Sequence, residues 1–547
     1  MPYHDRTTSV PSLHVRTVPC RFAAGRCSRG KQGVAPSQQQ SSPATGGEDD
    51  MTMDNQRRIP FLSKSRFTAG LQCHKRLYLE CFNRQLADAV TDQQQMIFDS
   101  GTDVGMLARG LFPGGLLISE DYTDHEGAMA STRIHLATGT PRPLYEAAFV
   151  HDRIRIRSDV LVPTGRDQFD LVEVKSTSKV KEEHLYDVGI QWYVLRGLGI
   201  KVRHVCICHL NTDYVYKGGP YDLGQLFRVA DLTEECELRM LEIPSLLAGM
   251  RRALAASEAP SIRTGRHCAI PYQCPFYGHC HRNQTEHPVM QLPRAGERLL
   301  SALEASGIED IRDIPPGFPG MNALQRRVRD CVASDRWYLA PELSSRLRGL
   351  KYPIHFLDFE AFNPALPVYE GTRPYQVIPF QWSVHTLEAG GNLRHREFLH
   401  EGNDNPQEAF AETLLTALEG SGPIIVYSSY EATRIRELAD ALPGLSHRLY
   451  SLLDGRLVDL LQLIRTHCYH PLFHGSFSMK SVLPALAPHL GYDDLAISDG
   501  TMASAAYSEM VRPATAPERK QEIREQLLAY CKRDTLAEVE LFRLFTD

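Results

Sequence analysis

FDLVEVKST, residues 169–177, is the stretch on which the reading of the N-terminal half turns. Residues two apart in a strand face the same way, so Glu173 and Lys175 project together. A carboxylate and an ammonium on one face of a strand rich in Leu and Val are costly to bury without purpose. Upstream, RIRIRSDVLV alternates as another strand, and hairpin pairing can bring Asp159, at its end, beside them. Two carboxylates suit Mg²⁺ or Mn²⁺, and a lysine can orient a water, help deprotonate it, or stabilise a pentavalent phosphorane. An ordinary Glu–Lys pair on an edge strand fits EVK alone equally well. Arg153, Arg155 and Arg157 alternate beside Asp159 and are candidates for gathering a phosphodiester backbone; a charge-guarded strand edge is the rival reading.

The 547 residues suggest several domains. With 60 Lys and Arg against 66 Asp and Glu, the net charge of −6 excludes a chain that is basic throughout but leaves room for a local basic groove. No apolar run of about 18 residues predicts a membrane-spanning helix, and no apolar leader is expected before the fold, so the expected location is the cytoplasm. Thirteen scattered cysteines then read as metal ligands or buried thiols rather than disulfides. The Gln, Ser, Gly and Pro-rich stretch ending in GGEDD marks 1–57 as a disordered tail.

A second acidic set lies near the C-terminus. FLDFEAF places Asp358 and Glu360 on one face of a strand, and two carboxylates there repel unless a cation lies between them. IIVYSSYEATRI reads as a strand entering a helix with Glu431 at the junction. YCKRDT puts Tyr530 and Asp534 one helical turn apart, on one face. Asp459, in RLVDLLQLI, reads as an accessory ligand or as a helix cap. Lys480 is a candidate phosphate contact, with a solvated lysine as the alternative. In HCAIPYQCPFYGHC, residues 267–280, Cys268, Cys274 and Cys280 stand six apart, three quarters of a structural metal site.

Asp159 with Glu173 and Lys175 resembles the PD-(D/E)XK nuclease core in its RecB-like form, and Gln191 resembles the glutamine of that family's Q-x-x-x-Y motif. Leu195 stands where the tyrosine is expected, and no histidine occupies the upstream helix that supplies a metal ligand; Glu146 is the candidate replacement. Iron–sulfur members of this group, those found beside CRISPR arrays and those of AddB type, carry one cysteine before the core and three after it. The resemblance therefore implies Cys73 as the fourth ligand and a 4Fe-4S cluster held by Cys73, Cys268, Cys274 and Cys280, with Zn²⁺ as the rival occupant. The C-terminal set resembles DnaQ-like DEDD 3′–5′ exonucleases with an RNase H-like fold, in the variant with a tyrosine four residues before the last aspartate. That implies Asp358, Glu360, Glu431 and Asp534 as ligands of two Mg²⁺ or Mn²⁺ ions and Tyr530 as the residue orienting water.

The expected fold class is α/β, with two nuclease domains. Residues 58–290 form a restriction-endonuclease-like core with its cysteine clasp, 291–348 a helical linker with a helix–hairpin–helix-like element, and 349–547 the exonuclease-like domain. The expected activity is metal-dependent phosphodiester hydrolysis on nucleic acid, DNA by the resemblance, in repair or defence. The alternative is a nucleic-acid-binding scaffold with one degenerate module.

Overall fold

The computed structural model describes residues 59–547 apart from 139, 140 and 166, together with the backbone of a short strand at Arg16–Thr17. The remainder of the expected tail, 1–57, lies outside the described residues. The chain is α/β, with two large sheets.

The first sheet and its helices run in the order β1 (Leu62–Ser63), α1 (Lys64–Gln72), α2 (His74–Phe82), α3 (Asp92–Ala108), β2 (Leu116–Leu117), α4 (His125–Ala137), β3 (Leu144–His151), β4 (Ile154–Pro163), β5 (Gln168–Lys175), α5 (Glu182–Gly197), β6 (Lys201–Leu210), β7 (Phe227–Asp231) and α6 (Thr233–Ala255). Spatially the strands lie β7-β6-β5-β4-β3-β2, with Arg16–Thr17 outside β7. One face carries α1, α5 and α6, where Phe67, Leu185, Val188, Leu195, Ile243, Leu247 and Met250 form the core with Ile154, Ile156 and Ile207.

The decisive feature is how β4 shares one edge between two neighbours. Its start pairs with β1, Leu62 against Ile154 and Ser63 against Arg155. Its far half, Val160 to Pro163, pairs with β5. Between the two, β5 peels away, and the Asp159 carboxylate accepts a hydrogen bond from the Val174 N–H at 2.8 Å. Asp159 therefore sits in the middle of a strand, not at its end as expected, and it plugs a break in the ladder.

The stretch FTAGLQCHKRLYLECF belongs to two helices, because Cys73 between them is extended, with φ −165° and ψ 124°. Gln72 Nε2 donates to the carbonyls of His267 and Tyr272 at 2.6 and 2.7 Å, so the break is anchored to the downstream cysteine loop. Arg153 is not on the strand face at all. With φ +57° it forms, with Asp152, the turn between β3 and β4.

The second half continues with α7 (Tyr277–His281), α8 (Glu297–Ala305), α9 (Ala323–Ser334), α10 (Pro341–Arg348), β8 (Ile354–Phe362), β9 (Ile378–Leu387), β10 (Leu393–Leu399), α11 (Gln407–Ala417), β11 (Ile424–Val426), α12 (Tyr430–Ala441), α13 (Ser446–Leu453), β12 (Leu457–Asp459), α14 (Leu460–His467), α15 (Met479–Leu486), α16 (Gly500–Met510) and α17 (Pro517–Thr546). Its sheet has the order β10-β9-β8-β11-β12. The first three strands are antiparallel neighbours, and β11 and β12 add in parallel. Alternation along β8 sends Leu357 and Phe359 into the core beneath α11 to α13, and Phe356 into the opposite core with Phe542 and Phe545 of α17. Asp358 and Glu360 share the Phe356 face and so look toward α17.

The helices of 291–348 do not form a free linker. Leu303, Val328, Val332, Leu343 and Leu347 lie in one core with Phe356, Leu460, Phe542 and Phe545. The halves also meet elsewhere. The β8–β9 connection, 363–377, leaves the second sheet and packs on the first, placing Ala365 in a core with Val160, Val172 and Phe227. Backbone bonds join Tyr216 to Thr372 and Gly371 at 3.0 and 2.8 Å.

A fragment beginning at residue 349 lacks the core side chains supplied by 291–348, among them Leu303, Val328, Val332, Leu343 and Leu347, whereas one beginning at 286 keeps them. The expected outcome is a cooperative thermal transition by circular dichroism for 286–547 and none for 349–547. A folded 349–547 fragment contradicts the shared core.

Candidate functional site

At the first acidic site, Glu173 is 2 % exposed and is gripped from three sides. Lys175 Nζ donates to its Oε1 at 2.8 Å, Lys64 Nζ to the same oxygen at 2.6 Å, and Gln191 Nε2 to Oε2 at 2.8 Å. Lys64 also lies 3.9 Å from Asp159 Oδ1. Lys175 has a second partner in Asp187. Burial pushes the Glu173 carboxyl up, but Lys175 and Lys64 outweigh it and hold it well below the usual carboxylate range. Burial first, then the Glu173 charge, lifts Asp159 to about 7. The sequence-selected Asp159, Glu173, Lys175 and Gln191 thus converge, and Lys64 and Asp187 join them unannounced by any motif.

Glu146 opposes Asp159 across the β3–β4 ladder, whose regular pairing skips from Tyr145–Val160 to Ala147–Ser158. Its φ of +60° is strained for a side-chain-bearing residue, on the order of 1–3 kcal/mol, a kind of strain that collects at functional positions. Arg109 holds its carboxylate at 3.0 Å. Glu146 thus lies across the ladder from Asp159, and its charge adds to the forces that lift the Asp159 carboxyl. Leu195, at the missing tyrosine position, is wholly buried in the core. Tyr193 points elsewhere, donating to Asp152 at 2.9 Å.

The three arginines are already engaged. Arg153 and Arg155 stack over the Phe61 ring at 4.7 and 4.2 Å. Arg157 donates to the carbonyls of Glu120 and Asp121 at 2.8 and 2.6 Å. These contacts fasten the chain around β4, and Arg153, in the β3–β4 turn, stands outside any row with Arg155 and Arg157.

The second acidic site is denser. Asp358, Glu360 and Asp534 bring one oxygen each within 4.8 Å of one another. A bulge in the β8–β9 ladder falls immediately after Glu360, where such irregularities re-aim a side chain. Glu431, in the first turn of α12, is 4 % exposed, and one of its oxygens is buried without a partner. On α17, Tyr530, Asp534 and Glu538 lie on one face at successive turns. Glu538, 1 % exposed, also buries an unpartnered oxygen. The Tyr492 hydroxyl donates to Asp534 Oδ1, and the Cys531 thiol lies 3.4 Å from Asp358 Oδ2. Burial followed by mutual repulsion pushes Asp358 and Glu360 well up. Burial also lifts Glu431 to about 8 and Asp534 to about 6. Glu538 continues the four-residue spacing of Tyr530 and Asp534, a signal the sequence reading passed over, whereas Tyr492 carried none.

Lys480 stands at the margin, half exposed and 3.9 Å from Asp499, and its charge tempers Glu360 and Asp534. It lines an open groove with His474, Ser476 and Ser481. Asp459 is a helix cap: its carboxylate accepts from Gln462 N at 2.7 Å.

Cys73, Cys268, Cys274 and Cys280 line one pocket with Lys75, Arg76, Arg263 and His267. All four thiols are free of disulfides. Among the described residues, no three of the four sulfurs lie within 4.8 Å of one another. A tetrahedral zinc site with bonds of about 2.3 Å needs sulfurs about 3.8 Å apart. Burial pushes Cys274 up to about 11, and burial also raises Cys268, so holding thiolates here calls for a strong counter-cation.

Residues 355–478 match a family model described as a domain of unknown function, DUF2779. The match spans all five strands of the second sheet and takes in Asp358, Glu360 and Glu431, ending before Lys480, Tyr530 and Asp534. No curated protein matches the chain. Among the described residues, no helix is long and apolar enough to cross a membrane.

Acids with raised folded pKa values bind protons more tightly folded than unfolded, so their contribution is present at low pH and lost as pH rises. The window here runs from the ordinary carboxylate range near 4 to the values of about 6 and 8 at Asp534 and Glu431. Without divalent ions, the transition of the C-terminal module is expected at lower temperature at pH 8 than at pH 5. Mn²⁺ is expected to restore it more strongly at pH 8. A calorimetric profile indifferent to both pH and Mn²⁺ contradicts a cation-seeking cluster.

Proposed function

We propose that this chain is a metal-dependent nuclease with two hydrolytic sites, acting on nucleic acid, with DNA as the substrate the family resemblances favour and repair or defence as its setting. The observation that carries the proposal is the second site: three carboxylates from two distant stretches share one 4.8 Å neighbourhood, with Glu431 and Tyr530 beside them. The strand order, with β8 central and two parallel strands added on one side, supports an RNase H-like reading.

In that reading Asp358, Glu360, Glu431 and Asp534 hold Mg²⁺ or Mn²⁺, whose positive charge relieves their repulsion and supplies Lewis acidity at the phosphodiester. The unpartnered Glu431 oxygen fits such a donor set. Tyr492 fixes the orientation of Asp534 through its hydroxyl. Tyr530, one turn before Asp534, orients the attacking water. Lys480, at the lip of its groove, meets the phosphate backbone. In the first site Asp159, Glu173 and Glu146 are the metal-holding acids. Lys175, fixed between Glu173 and Asp187, serves the water or the phosphorane, and Gln191 keeps Glu173 in place. Cys73, Cys268, Cys274 and Cys280 hold a 4Fe-4S cluster, with Zn²⁺ as the rival occupant, a reading supported by the one basic-rimmed pocket that the four line together.

A scaffold reading has one observation in its favour: Lys64 stands between the carboxylates of the first site, where a cation belongs. The protein, purified without oxygen and given Mn²⁺ or Mg²⁺, should cleave labelled single- or double-stranded DNA or RNA. Asp358→Ala and Lys175→Ala should each remove one component of that cleavage by at least about 100-fold, the scale of lost electrostatic or acid–base assistance. Cleavage unchanged by both substitutions overturns the two-site reading, and loss with only one identifies the other module as a scaffold.

For the clasp, Cys73→Ala should abolish bound iron and acid-labile sulfide and lower the melting temperature of the first module. The Mn²⁺ response of the Asp358 site should persist. A colourless wild-type protein containing stoichiometric zinc overturns the cluster.

A further inference from the structure

The first site already contains a cation that no motif supplied. Lys64 is the first residue of α1 and follows β1, whose pairing with β4 fixes the backbone beside the break in the β4–β5 ladder. Its ammonium enters that break, 2.6 Å from Glu173 Oε1 and 3.9 Å from Asp159 Oδ1. Lys175 is differently placed. Its ammonium contacts Asp187 in addition to Glu173. Lys64 also feels the Asp187 charge, but among the described residues the carboxylates it contacts are Glu173 and Asp159. Its partners are the two acids that a divalent cation needs.

We propose that Lys64 is a built-in counter-cation of the first site, competing with divalent metal for Asp159 and Glu173. This rests on the reading of those acids as metal ligands. Without metal, Lys64 holds the two carboxylates together and prevents the repulsion that would open the ladder. When metal enters, the Lys64 ammonium must leave Glu173 Oε1, and its four-carbon stem lets it do so while the backbone at Ser63 and Lys64 stays held by sheet and helix. The displaced charge stays within a side chain's length of the site, where an anionic phosphodiester is its natural next partner.

The position of α1 gives the idea a second support. The helix begins at Lys64 and ends at Gln72, so it runs about 13 Å from the acids to the cysteine clasp, at about 1.5 Å per residue. At its far end Gln72 is tied to the His267 and Tyr272 carbonyls, and Cys73 follows at once. Whatever fixes the clasp therefore fixes where the Lys64 ammonium can reach.

The test is Mn²⁺ binding to the full-length, cluster-loaded protein, read by calorimetry and by the electron paramagnetic resonance signal of free Mn²⁺. The second site is silenced by Asp358→Asn with Asp534→Asn in every sample. Lys64→Met should bind Mn²⁺ at least about tenfold more tightly than the parent, and Lys64→Arg, which keeps the charge, should bind like the parent. Equal or weaker binding by Lys64→Met overturns the counter-cation role while leaving the metal site standing. No Mn²⁺ at the first site in any of the three proteins overturns both. If Lys64→Met does not fold, Lys64→Gln takes its place with the same outcomes expected.

Discussion

Carboxylates forced together in a buried space are the constraint on which both acidic sites depend. Repulsion among them opposes folding, so each cluster survives only where counter-charge or a proton offsets it. The two modules meet that demand differently. The first does so with its own side chains: Lys64 and Lys175 press on Glu173, Asp187 balances Lys175, and Arg109 balances Glu146. In the second, Asp358, Glu360, Glu431 and Glu538 have no lysine or arginine in direct contact among the described residues, and their protonation answers chiefly burial and one another, tempered by Lys480 and Arg434.

That difference governs what each site asks of a metal. Entering the second relieves strain that the fold has left in place. Entering the first requires an existing ion pair to break. On the proposed two-site reading, metal entry would therefore meet two different thresholds within one chain, according to whether a basic side chain is in direct contact with the acids.

Much of this was legible in the sequence where chemistry follows local periodicity. Strand alternation placed Glu173 with Lys175 and Asp358 with Glu360, and helix spacing placed Tyr530 with Asp534. Contacts made over long sequence distances were not legible. Lys64 reaches Glu173 across 109 residues, and Tyr492 reaches Asp534 across 42. Neither position differs by type or spacing from a surface lysine or a core tyrosine. The contacts of the arginines were not legible for a related reason: alternation predicts a face but not what else occupies it, here Phe61 and the carbonyls of Glu120 and Asp121. The cap role of Asp459 was a local possibility that only the 2.7 Å bond to Gln462 decides.

The β8–β9 connection has a consequence for the order in which this protein is made. Chains emerge N-terminus first and domains tend to fold as they appear. The first sheet, complete by residue 231, has an apolar patch around Val160, Val172 and Phe227 whose cover includes Ala365 and the partly buried Leu366 and Tyr375. Until those residues leave the ribosome, more than a hundred positions later, the nascent first module carries that patch partly uncovered. The Ser176–Tyr375 hydroxyl contact, 3.0 Å long, marks where the seam closes, one residue beyond Lys175. Synthesis therefore completes the surroundings of the first site only after the first strand of the second sheet has been made.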